Sequence, residues 1–265
     1  KTICQCDKWH LRSSDVILSN QHRFLNRCLN YENIRLGIAD GCIVDTMEEA
    51  FPTTLEILRQ SPTNQNSSDT QDQAGRKLKE LSNFKIIIKR PNSKYVPEYY
   101  EEDQDKLENY YQSVFGSKDG FFQKHLQANG QYDAVLKHIM QLISENGLQY
   151  ATRRAILVVP HIIDNPNDLT PLGLISIYIA PRKSKEGIVF DFSFTWRTVE
   201  AVVGFPYSLY SSIRYAEHIL ETIRKEYNKS HGDIDQLKMG SVSYLAYSLH
   251  MFLDEPYLQI VRGII

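Results

Sequence analysis

Thr195-Trp196-Arg197-Thr198-Val199-Glu200-Ala201-Val202-Val203-Gly204-Phe205-Pro206-Tyr207-Ser208 is the stretch on which the reading of this chain turns. It sets an Arg and a hydroxyl at the end of an apolar strand and follows them with a Gly-Phe-Pro turn that opens a helix. A guanidinium beside a hydroxyl presents several donors in fixed geometry, which suits a phosphate or carboxylate better than a core position does. Upstream lie three apolar runs, 155–159, 172–179 and 188–194, the first two nearly continuous, as buried strands tend to be. Downstream, Leu209, Ile213, Ala216, Leu220 and Ile223 mark a long helix, and apolar runs follow at 242–252 and 258–261.

The rest of the chain is less regular. The pattern predicts a helix over 48–60, where Phe51, Leu55 and Leu58 keep close to helical spacing despite Pro52. Residues 61–75 (SPTNQNSSDTQDQAG) form a polar, low-complexity run that is expected to be a mobile loop. Arg76 to Leu81 reads as a short basic turn, and Phe84 to Lys89 as a strand closed by Arg90-Pro91. The acidic, Tyr-rich segment 98–111 is expected to be a solvated helix. Residues 131–146 form an amphipathic helix with Val135, Ile139 and Leu142 on one face and Gly147 as a C-cap. No internal repeat is visible, and one mixed domain over 45–265 accounts for the pattern better than two. Residues 1–44 stand before it as an extension without a readable role, and a chain that begins at Lys1 fits a piece of a longer protein with other domains as partners.

Composition bounds the function. Thirty basic against 32 acidic residues give a net charge of −2, so neither wholesale nucleic-acid binding nor attraction to an anionic membrane is indicated. No apolar run approaches the length of a membrane span, and the expected location is the cytoplasm. The four cysteines, Cys4, Cys6, Cys28 and Cys42, are too few for a disulfide scaffold and read as reduced thiols. Cys4 and Cys6 with His10 and His22 match no common zinc spacing, so no metal is expected. Glycine-rich phosphate loops, G-x-S-x-G and H-E-x-x-H are all absent from the sequence.

Four segments, taken in order, are similar to the thymidylate synthase / dCMP hydroxymethylase superfamily. Arg197 and Thr198 with Glu200, Gly204, Pro206 and Tyr207 resemble its Arg-Ser-x-Asp…Leu-Gly-x-Pro-(Phe/Tyr)-(Asn/Asp) signature, with Thr preserving the hydroxyl. Arg153-Arg154 before the apolar strand resembles the pair that, in the family, reaches the nucleotide phosphate of the partner subunit. Tyr247-Ser248-Leu249-His250-Met251-Phe252 resembles the motif whose His and Tyr hold the sugar hydroxyl; His250 is kept, and Phe252 lacks the phenolic oxygen. Gly75 to Asn83 is similar to the family's phosphate-loop segment, with Arg76 as a fourth phosphate arginine, and Val114-Phe115-Gly116 resembles its (Ala/Val)-Tyr-Gly element. The resemblance covers roughly residues 45–90 loosely and 112–260 more firmly.

The departures fall on the chemistry. In the turn Thr170-Pro171-Leu172-Gly173, Leu172 stands where the family has its nucleophilic Cys, and a Leu forms no covalent adduct. Ser208 replaces the Asn or Asp that selects the base. No long helix carrying the family's catalytic Glu is evident between Pro91 and Gln112. The resemblance therefore implies an α+β fold with a twisted mixed β-sheet, flanking helices and a dimer formed through the sheet. The expected activity is binding of a pyrimidine nucleotide monophosphate or related phosphorylated ligand through Arg76, Arg153, Arg154, Arg197, Thr198 and His250. One-carbon transfer and a folate cofactor are not expected. Such a domain would act as a sensor, regulator or dimerisation unit. Two alternatives stay open: an active nucleotide-modifying enzyme using Glu200 and His250 as acid and base, and a structural dimer in which Arg153, Arg154 and Arg197 form an interface ion network.

Overall fold

Apolar residues alternate without a break from Ile188 to Trp196, and this two-residue period makes Gly187–Glu200 a strand with one face buried. The computed structural model describes residues 41–65, 75–94, 104–146, 152–160, 172–185, 187–231 and 236–264. The elements run β1 (Cys42–Val44), α1 (Met47–Gln60), β2 (Thr63–Gln65), β3 (Lys77–Ile88), α2 (Gln104–Tyr111), α3 (Gln123–Gln127), α4 (Gln131–Asn146), β4 (Ile156–Val158), β5 (Leu174–Ser184), β6 (Gly187–Glu200), α5 (Gly204–His231), β7 (Leu237–Phe252) and α6 (Glu255–Ile264). One π-helical turn, Gln112–Gly116, continues α2.

The strands form one mixed sheet in the order β1-β3-β7-β6-β5-β4, with β2 beside the start of β3. β6 and β7 run parallel because α5 crosses over between them, and β1 lies parallel to β3; the other pairs are antiparallel. On one face of β3, β7 and β6, residues pair in apolar rows: Ile88–Val242–Phe192, Ile86–Tyr244–Phe194 and Phe84–Ala246–Trp196. Helix α5 buries Phe205, Leu209, Ile213, Ala216, Leu220 and Ile223, a spacing of three and four residues along one side of the helix. Phe205 meets Phe84, Tyr244 and Phe51 of α1 at ring-centroid distances of 6.3, 5.1 and 6.5 Å, and this joins helix and sheet layers. The opposite face carries Ile43, Ile87, Ser243, Ser193, Tyr178 and Ile156 as one continuous row across six strands. That face is open in places, with Ile156 43% and Val158 45% exposed.

Several sequence expectations need correction. Arg76 to Leu81 is not a turn: β3 begins at Lys77 and its charged half pairs with β7 as fully as its apolar half. Helix α2 is not simply solvated, since Leu107 and Tyr111 are buried. The 155–159 run forms an edge strand rather than a buried one. The outward backbone groups of Val158 are closed by Gln131, whose amide accepts from the Val158 N–H at 3.0 Å and donates to the Val158 carbonyl at 2.8 Å. The stretch 61–75 contains a strand, β2, and its residues 66–74 lie outside the described residues. The boundary at 44/45 falls immediately behind β1, so residues 42–44 belong to the sheet. Residues 1–40, with Cys4, Cys6, His10, His22 and Cys28, lie outside the described residues, as does Gly147.

Candidate functional site

Past the apolar rows, the three central strands change character at a single row. The ladder skips Asn83 in β3 and Arg197 in β6, both beside Tyr247 of β7. Asn83 takes the left-handed conformation with φ 56°, which Asn tolerates better than most residues. Burial changes parity there. Before the break the buried residues are Phe84, Ala246 and Trp196; beyond it they are Leu81, Leu249 and Val199. The residues that alternate with these are polar, and they pair in two further rows: Ser82–Ser248–Thr198 and Glu80–His250–Glu200.

Side-chain contacts bind the polar rows together. Thr198 Oγ1 and His250 Nδ1 lie 3.4 Å apart, and the Ser248 hydroxyl donates to Glu80 Oε1 at 2.5 Å. Burial lowers the His250 pKa below its ordinary 6.5; the nearby Glu80 carboxylate opposes this and the Arg76 charge adds to it. The imidazole is therefore neutral near pH 7, with one ring nitrogen to donate and one to accept.

Glu200 has a different task. Its carboxylate accepts from the Val202, Val203 and Gly204 N–H groups at 2.9, 2.7 and 3.3 Å, closing the turn that opens α5. Burial pushes its carboxyl above the usual range, outweighing those three N–H groups and the Arg76 charge. An acid–base role would require this carboxylate to release the helix end it holds.

The arginines divide three ways. Gly75, in the left-handed region at φ 78°, turns the chain into β3 and sets Arg76 against the polar rows. The Arg76 guanidinium is ion-paired with Asp254 and lies 3.8 Å from the Phe252 ring centroid. Arg197 is different: its backbone N–H donates to the Gly173 carbonyl at 2.7 Å, while its side-chain Nε is buried without a hydrogen-bond partner. A buried guanidinium nitrogen without a partner is costly, and an anion would satisfy it. Arg153 and Arg154 are exposed just ahead of β4. The Ala155 carbonyl accepts from Ile179, which pairs with Phe192, so Ala155, directly after the pair, already sits five residues back along the sheet from Arg197. At the rise of a strand that is about 16 Å, and one chain does not bring the three together.

Leu172 is half-buried and its neighbour Gly173 holds the backbone of Arg197; Thr170 and Pro171 lie outside the described residues. Ser208 is only 4% exposed, and its hydroxyl is engaged by the Phe205 carbonyl at 3.1 Å and the Tyr244 hydroxyl at 2.6 Å. It faces the core rather than a ligand. Glu108 on α2 accepts from the Tyr210 hydroxyl at 2.8 Å and lies 3.8 Å from Arg214, so it ties α2 to α5. Sequence reasoning missed Glu80 altogether. No local signal marks it, because its partner Ser248 is 168 residues away and only the β3–β7 register joins them.

No protein-family model matches the chain, and no curated protein matches its sequence. Among the described residues, no helix is long and apolar enough to cross a membrane.

Proposed function

We propose that the chain is a thymidylate-synthase-like protein that binds a nucleotide phosphate without one-carbon transfer and serves as a sensor, regulatory or dimerisation domain. The observation that carries this reading is the meeting of three distant motifs at one end of the sheet. Gly173 holds Arg197, Thr198 touches His250, and the Arg197 Nε is left buried and without a partner. Arg197 and Thr198 take the phosphate and His250 takes a sugar hydroxyl, while Arg76 stays with Asp254. Leu172 supplies no nucleophile and Ser208 no base contact, so the ligand is held and not transformed. A second copy of the chain covers the open sheet face and brings Arg153 and Arg154 of the partner subunit toward the phosphate. The engagement of Glu200 by three backbone N–H groups weighs against the enzyme alternative.

Titration calorimetry with pyrimidine nucleoside monophosphates tests the reading. Binding is expected, and Arg197→Ala should weaken it by about 100-fold, the scale of a buried charge-assisted pair. Absence of binding at millimolar nucleotide, or equal affinity in the variant, would sink the proposal.

A further inference from the structure

We propose that Glu80 is a ligand-binding residue and that the ligand it reads carries vicinal sugar hydroxyls, so that the site takes a ribonucleotide in preference to its 2′-deoxy counterpart. This rests on the phosphate-binding reading above and specifies its ligand.

Position comes first. Glu80 and His250 are direct cross-strand partners in β3 and β7, which puts their Cβ atoms about 5 Å apart on one side of the sheet. The Ser248 hydroxyl pins one carboxylate oxygen of Glu80. The other, Oε2, has no hydrogen-bond or ion-pair partner among the described residues, and the side chain is half-buried. A fixed, partly desolvated carboxylate oxygen left over in this way is an acceptor awaiting a donor.

The neighbours narrow what the donor is. Glu200, the other carboxylate of the row, is consumed by the start of α5, and Arg76, whose charge acts on His250 in this row, is taken by Asp254. Glu80 is thus neither duplicated nor neutralised, and its charge repels a phosphate. The ligand's phosphate must then lie on the Arg197 side of the polar rows, with its uncharged, donor-bearing part toward β3. With its Nδ1 beside Thr198, His250 offers Nε2 between those two ends. Two adjacent hydroxyls, one donating to Glu80 and one hydrogen-bonded to His250 Nε2, satisfy this row. A 2′-deoxy sugar leaves one of the two partners unmet, and a buried polar group left unpaired discriminates strongly.

The test is calorimetry on the whole chain with CMP and dCMP, and with UMP and dUMP, for the wild type and Glu80→Gln. The expected result is that each ribonucleotide binds about tenfold or more tightly than its deoxy form. Glu80→Gln, which keeps an acceptor for Ser248, should bring the two forms within about threefold while leaving deoxynucleotide affinity unchanged. Equal wild-type affinities for ribo and deoxy forms overturn this inference and leave the phosphate reading standing. So does a Glu80→Gln variant that weakens both forms alike, since that is what a purely structural Glu80–Ser248 bond predicts. Binding of none of the four nucleotides overturns both readings together. The ribo-versus-deoxy comparison needs only the wild type, so it survives a variant that fails to fold.

Discussion

On either side of the Asn83–Tyr247–Arg197 row, the same three strands do opposite things. On one side, Phe84, Ala246, Trp196, Tyr244 and Phe194 fill the sheet surface, and Phe205 of α5 packs onto it. On the other side, Glu80, His250, Glu200, Ser248 and Thr198 occupy successive register positions, and none of them is fully buried. The strands pair again directly beyond the skipped row, so one ladder carries both halves. The apolar half fixes where the strands lie, and the polar half inherits that precision for side chains that would not hold a core themselves. Polar residues at successive register positions of paired strands break the local pattern that the apolar half obeys.

The comparison predicts that the two halves separate under mutation. The largest effect belongs to the apolar half. Phe205→Ala removes the ring that touches Phe51, Phe84 and Tyr244, and it should cost about 3–5 kcal/mol of stability by urea denaturation. Arg197→Ala is the counterpart on the break itself. It should not lower the denaturation midpoint, because it removes a buried nitrogen whose lack of a partner is itself a cost, while nucleotide affinity falls as stated above. A large loss of stability with Arg197→Ala would mean that the guanidinium is structural and would merge the two halves into one.

Glu200 tests the border between them. It sits in the polar row, yet it caps α5, whose apolar side builds the core. Glu200→Ala should cost about 1–2 kcal/mol, as expected for loss of an N-terminal helix cap, with Glu200→Gln costing less. If Glu200→Ala is neutral to stability but abolishes a nucleotide-dependent reaction, the carboxylate belongs to the chemistry and the enzyme alternative gains.

How much of this was legible follows the same border. Period-two alternation from Ile188 to Trp196 and the three- and four-residue spacing from Phe205 to Ile223 point directly to β6 and α5, because one surface of each is buried against the other. Arg197-Thr198 and His250 stand out in the sequence as short local patterns, and the β6–β7 register sets Thr198 beside His250. The polar half of β3 was not. Lys77, Lys79 and Glu80 look like a basic turn when taken alone, and they become a strand only because β7, far along the chain, pairs with them. β4 misled in the opposite sense: an apolar run does not tell an edge from a centre, and here Gln131 closes the edge from a helix. Residues 153 and 154 stood beside the site in motif order, whereas sheet order puts β5 between β4 and β6.

The smallest predicted effect isolates the electrostatics of the polar half. His250 faces Glu80 on β3, Glu200 and Thr198 on β6, and Arg76 before β3. Burial holds its pKa below 6.5, so just beneath that pH the unfolded chain binds a proton that the folded chain refuses. The sign follows: stability should rise as pH increases toward 6.5, level off above it, and be lost as pH falls toward the folded-state pKa. Glu80 offsets part of the burial, so this is the smallest of the effects. Urea midpoints measured at about pH 5.5, 6.5 and 7.5 for the wild type and His250→Asn read this difference directly. His218, whose pKa burial also lowers, is common to both proteins and cancels in the comparison. If the two proteins keep parallel midpoints across the range, His250 is not held neutral by its surroundings. The polar half would then be solvated enough to bind a ligand only weakly.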